Sequence, residues 1–244
     1  MANWNDPQRT RPGFGSEGFS GASVPRSREV FDAGLRSYML SIYNYMTSGV
    51  LLTGIVALLT ANAGLAGGPL MWVGMLGSLG VVFAMNMGAN RFSTTTLKAL
   101  FWGYAVLMGL FLSSVFVIYT GASIAATFFA TAGAFAGLSL FGYTTKKDLS
   151  AFGTFLIMGV VGLIIAMVVN MFLRSTGLDL AISFLGVLIF AGLTAWDTQR
   201  LKASYAQLRG TEFAGKMVIM GALQLYLDFI NMFLFLLRFL GNRD

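Results

Sequence analysis

Cysteine and histidine are both absent from the 244 residues of this chain. Their absence excludes thiol chemistry, haem held by histidine and serine–histidine proteolysis. Transition metals also lose their usual soft and imidazole ligands. Charge is scarce, at 11% of residues against roughly 25% in a soluble domain. Lysine occurs only at 98, 146, 147, 202 and 216, each near the end of an apolar run, so no lysine is available inside a run for a retinal Schiff base. Proline is rare and clustered: three of the four fall within the first 38 residues.

What is present is hydrophobic, at 56% of the chain. Residues 37–90, 99–145 and 149–173 form uncharged runs of 54, 47 and 25 residues. A transmembrane helix needs about 20 apolar residues, so the chain is expected to cross a bilayer several times. The net charge of +6 then belongs to basic loops and a basic tail, and nucleic acid is not an expected partner.

Gly and Pro punctuation divides the runs. ANAGLAGGP (61–69) separates spans near 39–60 and 69–89, and YTGAS (119–123) separates spans near 98–119 and 122–142. A fifth span near 151–173 ends at RSTGLD, followed by a sixth near 180–199 and a seventh near 217–238. Barrel strands would alternate apolar and polar residues. These spans are uniformly apolar, so the expected fold is all-α and integral to the membrane, with seven transmembrane helices. Residues 1–36, rich in Gly, Ser, Pro and Arg, are expected to be a disordered basic tail, and 37–244 the membrane domain. The end of the tail, SREVFDAGLRSYML, suits a short interfacial helix leading into span one.

Thirteen lysines and arginines fall in the tail and in the 2–3, 4–5 and 6–7 connections, against Arg174, Arg238 and Arg243 on the other side. The positive-inside rule places the amino terminus inside and the carboxyl terminus outside.

Within the apolar runs, carboxylates are the anomaly, because an acid inside a bilayer costs several kcal/mol. LQLYLDFIN (223–231) carries Asp228 near the middle of span seven. Gln224, Asp228 and Asn231 recur at i, i+4 and i+7 and so share one helix face. In span six, Thr194, Asp197 and Thr198 cluster near the inner end. Either acid alone is compatible with a packing role. Two on consecutive helices favour a shared site, since neighbouring carboxylates tend to hold a proton or a cation between them. Measured from the expected helix ends, the two lie at different depths, which leaves their meeting open. Calcium takes six to eight oxygens, so Asp197 and Asp228, supplemented by Gln224, Asn231, Thr194 and backbone carbonyls, would make a weak calcium site suited to passage. A proton is the alternative occupant.

AWDTQRLK (195–202) and LQLYLDFINMFLFLLRFLG (223–241) resemble the sixth- and seventh-helix signatures of the Bax inhibitor-1-like, or transmembrane Bax-inhibitor-motif, family, in its bacterial YccA-like and YetJ-like branch. KKDLS (146–150) resembles the family's fourth-to-fifth connection, and YTGASIAATF (119–128) its third-to-fourth region. The resemblance spans about residues 30–241. It implies seven helices with the seventh at the centre, and a pH-sensitive calcium leak governed by an aspartate pair that maps onto Asp197 and Asp228. It further implies a basic residue at the inner end of helix two that latches the helix-six aspartate, for which Arg91 is the nearby candidate. Relatives that carry a carboxylate in helix two find no match in residues 70–89.

Three functions therefore stand as expectations. They are a calcium leak, a modulator of a membrane-bound AAA protease, and a proton-coupled transporter. All are set in a bacterial inner membrane, with the lipid bilayer and calcium or protons as partners and no tightly bound cofactor. An enzyme is not expected, because no nucleophile–base set accompanies the two acids.

Overall fold

In the computed structural model the described residues are 23–242, and they are helical apart from short connections. The elements are α1 (Ser23–Asn62), α2 (Pro69–Gly88), α3 (Thr94–Leu112), α4 (Val115–Ile118), α5 (Gly121–Thr144), α6 (Ser150–Leu173), α7 (Thr176–Leu208) and α8 (Phe213–Leu240). With α3 and α4 taken together, seven helical segments are long and apolar enough to cross a membrane. Consecutive spans are joined by turns that the sequence marks clearly. Gly64 and Gly67 adopt positive φ between α1 and α2, Pro69 opens α2, and Ser93, Thr120 and Ser175 accept hydrogen bonds from the first turns of α3, α5 and α7. Each cap satisfies a backbone N–H that lipid could not.

The chain divides into two units, one ending at Gly34 and the other running from Leu35. Residues 1–22 of the expected tail, with Arg9 and Arg11, lie outside the described residues, as does Arg243. Residues 23–36 are helical as the first part of α1. Beyond Pro25 this stretch holds only one helix-weakening residue, Gly34, and several good helix formers.

α8 is the enclosed helix. Two-thirds (67%) of its apolar window is buried, against 11–39% for the others. Buried residues occur consecutively at Gly221–Leu223 and Asp228–Ile230, so protein covers most of its circumference, and the half-buried stripe of Gln224, Leu227, Asn231 and Leu234 is its least covered face. It packs against α3, α5 and α7. α1 reaches it through Thr53, whose hydroxyl donates to the Ala105 carbonyl of α3 at 2.8 Å and therefore accepts from Tyr226 of α8 at 2.7 Å. α2 packs on α3, and α6 on α7. α6 turns Phe155, Met158 and Phe172 outward, the surface expected of a helix whose solvent is lipid.

Two expected boundaries shift. Span three breaks at Ser113 and Ser114, whose hydroxyls donate back to the carbonyls of Leu110 and Phe111. Such back-bonding competes with the helical ladder and bends helices. The 6–7 connection SYAQLRGTEFAGK, expected as a loop, is mostly helix. Its Ala, Gln and Leu residues extend α7 to Leu208, Phe213 already belongs to α8, and Gly210 at φ 80° makes the reversal.

Candidate functional site

The longer α7 places the two acids near one level. Asp197 lies eleven residues before Leu208 and Asp228 fifteen after Phe213, or about 16 Å and about 22 Å of helical rise from the shared turn. Antiparallel packing of α7 on α8 brings them together. The Asp228 carboxyl stands within hydrogen-bond reach of the Asp197 carboxyl. Both are buried, at 3% and 4% exposure. Gln224 Nε2 donates to Asp197 Oδ1 at 2.6 Å. Among the described residues, Asp228 Oδ2 has no hydrogen-bond partner.

The remaining expected residues divide. Thr194 is fully buried one turn before Asp197, but its hydroxyl donates to its own helix at Phe190. Asn231 is half-buried and donates its amide to the Leu227 carbonyl. The face of Gln224, Asp228 and Asn231 thus delivers its first two members to Asp197. Arg91 is exposed in the turn between α2 and α3. The cation acting on Asp197 is instead Arg200, one turn further along α7. Its guanidinium carbon lies 5.3 Å from the Trp196 ring centroid, which keeps its charge at the helix end.

Close helix contacts hold this part of α7 in place. A Cβ on Gly142 of α5 would strike the Ala195 carbonyl, and one on Gly153 of α6 would strike the Trp196 ring. The two residues just before Asp197 are therefore gripped by α5 and α6, with glycine permitting the approach. Thr198 donates to Ser139 of α5 at 3.5 Å and extends the polar cluster to a third helix.

Towards the 6–7 turn, Gln199 locks the α5–α6 connection to α7. Its amide donates to the Lys147 carbonyl at 2.7 Å and its oxygen accepts from the Leu149 N–H at 2.9 Å. Lys202 donates to the Tyr143 carbonyl at 2.7 Å. In that connection, hydrogen bonds from Ser150 hold the Asp148 carboxyl below the usual carboxylate range. At the opposite end of the same two helices, Asp179 of α7 pairs with Arg238 of α8.

Sequence reasoning did not assign roles to Ser139, Gln199, Arg200 or the Asp179–Arg238 pair. For the last, the available signal was an acid and a base at the facing ends of consecutive helices. For Arg200 it was the i, i+3 spacing from Asp197.

Chemically, the cluster offers two facing carboxyls, one amide donor and a nearby guanidinium. Among the described residues no group of three or more acidic or other strongly ligating side chains gathers that would cage a metal ion. The arrangement suits exchange of a proton or a passing cation better than firm coordination.

Comparison with known proteins gives a consistent picture. The family model described as "Inhibitor of apoptosis-promoting Bax1" matches residues 35–244. The inner membrane protein YbhL of Escherichia coli is 45% identical over 229 residues, covering 90% of this chain and 98% of YbhL. An uncharacterized protein of Rickettsia prowazekii is 46% identical over 220 residues, 88% of this chain and 93% of that one. One from Caulobacter vibrioides is 45% identical over 240 residues, with 91% and 96% covered.

Proposed function

This chain belongs to the Bax inhibitor-1 family and is a multi-pass protein of the bacterial inner membrane, and we propose that it is a pH-sensitive cation leak, with calcium favoured, controlled by Asp197 and Asp228. One observation carries the reading. An acid with an unpartnered oxygen sits in the most enclosed helix of a membrane protein and faces a second acid. Intramembrane ionisable groups are costly and mark ion or proton pathways.

Two carboxyls at this range do not both ionise without repulsion, and a proton or a cation between them relieves it. Occupancy therefore alters the attraction between α7 and α8. Arg200 from α7 and Gln224 from α8 face the pair, and Ser139 of α5 joins through Thr198. A change of about 1.4 kcal/mol in that attraction shifts an open–closed ratio tenfold. Two carboxylates fall short of the six to eight oxygens calcium prefers, and a shallow site lets the ion leave.

The proposed orientation has the end bearing Arg91, Lys98, Lys146, Lys147, Arg209 and Lys216 in the cytoplasm. The experiment is reconstitution in liposomes with an entrapped calcium dye. Downhill calcium entry that varies with pH supports the leak. Uphill flux driven by a proton gradient replaces it with proton-coupled transport. No flux at any pH, together with co-purification of a membrane-bound AAA protease, replaces it with a modulator of that enzyme.

A further inference from the structure

Outward of the acid pair, α5 and α8 meet through aromatic rings. Phe229, next to Asp228 in the chain, lies between Phe128 and Phe135 of α5, with ring centroids 5.6 Å from each and edge-to-face planes at 71° and 74°. Phe128 also meets Phe233 at 6.3 Å. On one side of this stack is the polar cluster. Ser139, which accepts from Thr198, is one turn along α5 from Phe135. On the other side is a cavity of about 320 Å³ between α1, α4, α5 and α8. Its lining includes Thr53, Val115, Phe128, Phe229 and Phe233, and it reaches Gly121 at the start of α5. Thr53 spends its hydroxyl on Ala105 and Tyr226, so the lining offers little to water.

Phe229 thus borders both compartments. It is 4% exposed and follows the acid that the leak requires. A narrow apolar constriction blocks ions by excluding water, without needing to be sealed, and the apolar cavity beyond it lengthens the dry segment. We infer that Phe229, wedged between Phe128 and Phe135, is the hydrophobic gate that closes the acid pair off from the apolar cavity. This rests on the leak reading and names the residue that resists flow in it. Because Asp228 and Phe229 are adjacent on one helix, a small rotation or shift of α8 that changes the acid contact also moves the ring. Edge-to-face rings have discrete alternative packings, which suits a gate with two positions.

The test uses the full chain in liposomes at pH 7 and reads calcium-dye flux. Phe229→Ala and, from the opposite helix, Phe128→Ala are each expected to raise the flux about tenfold or more over wild type. Phe83→Ala, on the outward face of α2 and 66% exposed, is expected to leave it unchanged. Because the chain holds no cysteine, Phe229→Cys gives one reactive site. It too should leak, and a water-soluble charged thiol reagent should change its flux while leaving wild type untouched. Should Phe229→Ala not purify as a single species, Phe128→Ala and Phe229→Cys read the same barrier. Wild-type flux that depends on Asp228, combined with unchanged flux in folded Phe229 and Phe128 variants, overturns the gate and leaves the leak standing. No flux from wild type or any variant overturns both.

Discussion

Gln224 of α8 reaches across to α7 and donates to Asp197 over 2.6 Å, one helical turn from Asp228 on its own helix. One amide thus ties the two helices together beside the acid pair. Gln224→Leu removes the donor and leaves a buried oxygen short of a partner. The expected loss is about 1.5–3 kcal/mol, the range for a hydrogen bond to a charged group. Gln224→Glu replaces the donor with a third carboxyl. Its deficit should be larger at pH 8 than at pH 5, where a protonated glutamic acid can again donate. Thermal unfolding in detergent at the two pH values checks both, and equal deficits at both pH values would contradict the assignment.

Arg200, not Arg91, supplies the charge near Asp197. Arg200→Gln is therefore expected to change the pH profile of calcium flux, while Arg91→Gln leaves it near wild type. Flux measured across pH 5–8 decides. The reverse result would restore the helix-two latch that the family resemblance implies.

The grip on α7 depends on two glycines. Gly142→Ala drives a methyl into the Ala195 carbonyl, and Gly153→Ala drives one into the Trp196 ring. Overpacking of this kind costs about 1–3 kcal/mol. The Ala195 carbonyl is backbone and yields less readily than a side chain, so Gly142→Ala should be the more destabilising. Gly133→Ala, where a Cβ meets open space, should be near neutral or slightly stabilising. Melting temperatures of the three variants test the order.

Thr53, Tyr226 and Ala105 form a buried chain linking α1, α8 and α3. Tyr226→Phe removes one hydroxyl and leaves Thr53 still donating to Ala105, at a cost of about 1 kcal/mol. Thr53→Val strands the buried Tyr226 hydroxyl, while the Ala105 carbonyl keeps its partner within α3, at about 1–3 kcal/mol. The valine variant should therefore melt lower, and the opposite ranking would count against this hydrogen-bond order.

The helix count was legible in the sequence because uncharged runs of this length have few alternatives in a bilayer. The glycine-rich break ANAGLAGGP, with Pro69, and the stretches YTGAS and RSTGLD marked the turns. Asp197, Asp228 and Gln224 were legible as polar exceptions in apolar runs. Their common level was not, because Ser204–Leu208 carries enough polar residues to read as loop, yet helix propensity and packing carry α7 through it. The aromatic stack was also hidden. Phe128, Phe135 and Phe229 sit among 22 phenylalanines, and only the pairing of α5 with α8 distinguishes a packed ring at an interface from one facing lipid. A role for Arg200 beyond its place among the basic residues was not legible, because a charge at a helix end ordinarily snorkels to water.

The most direct measurement is the pH profile of calcium entry into liposomes holding wild type, Asp197→Asn or Asp228→Asn, each at matched protein density. Wild type should show flux that changes with pH between 5 and 8. Asp228→Asn, with no titratable group left opposite Asp197, should lose that dependence, and Asp197→Asn should lose it as well. Identical pH-dependent flux in all three proteins would contradict control by the pair.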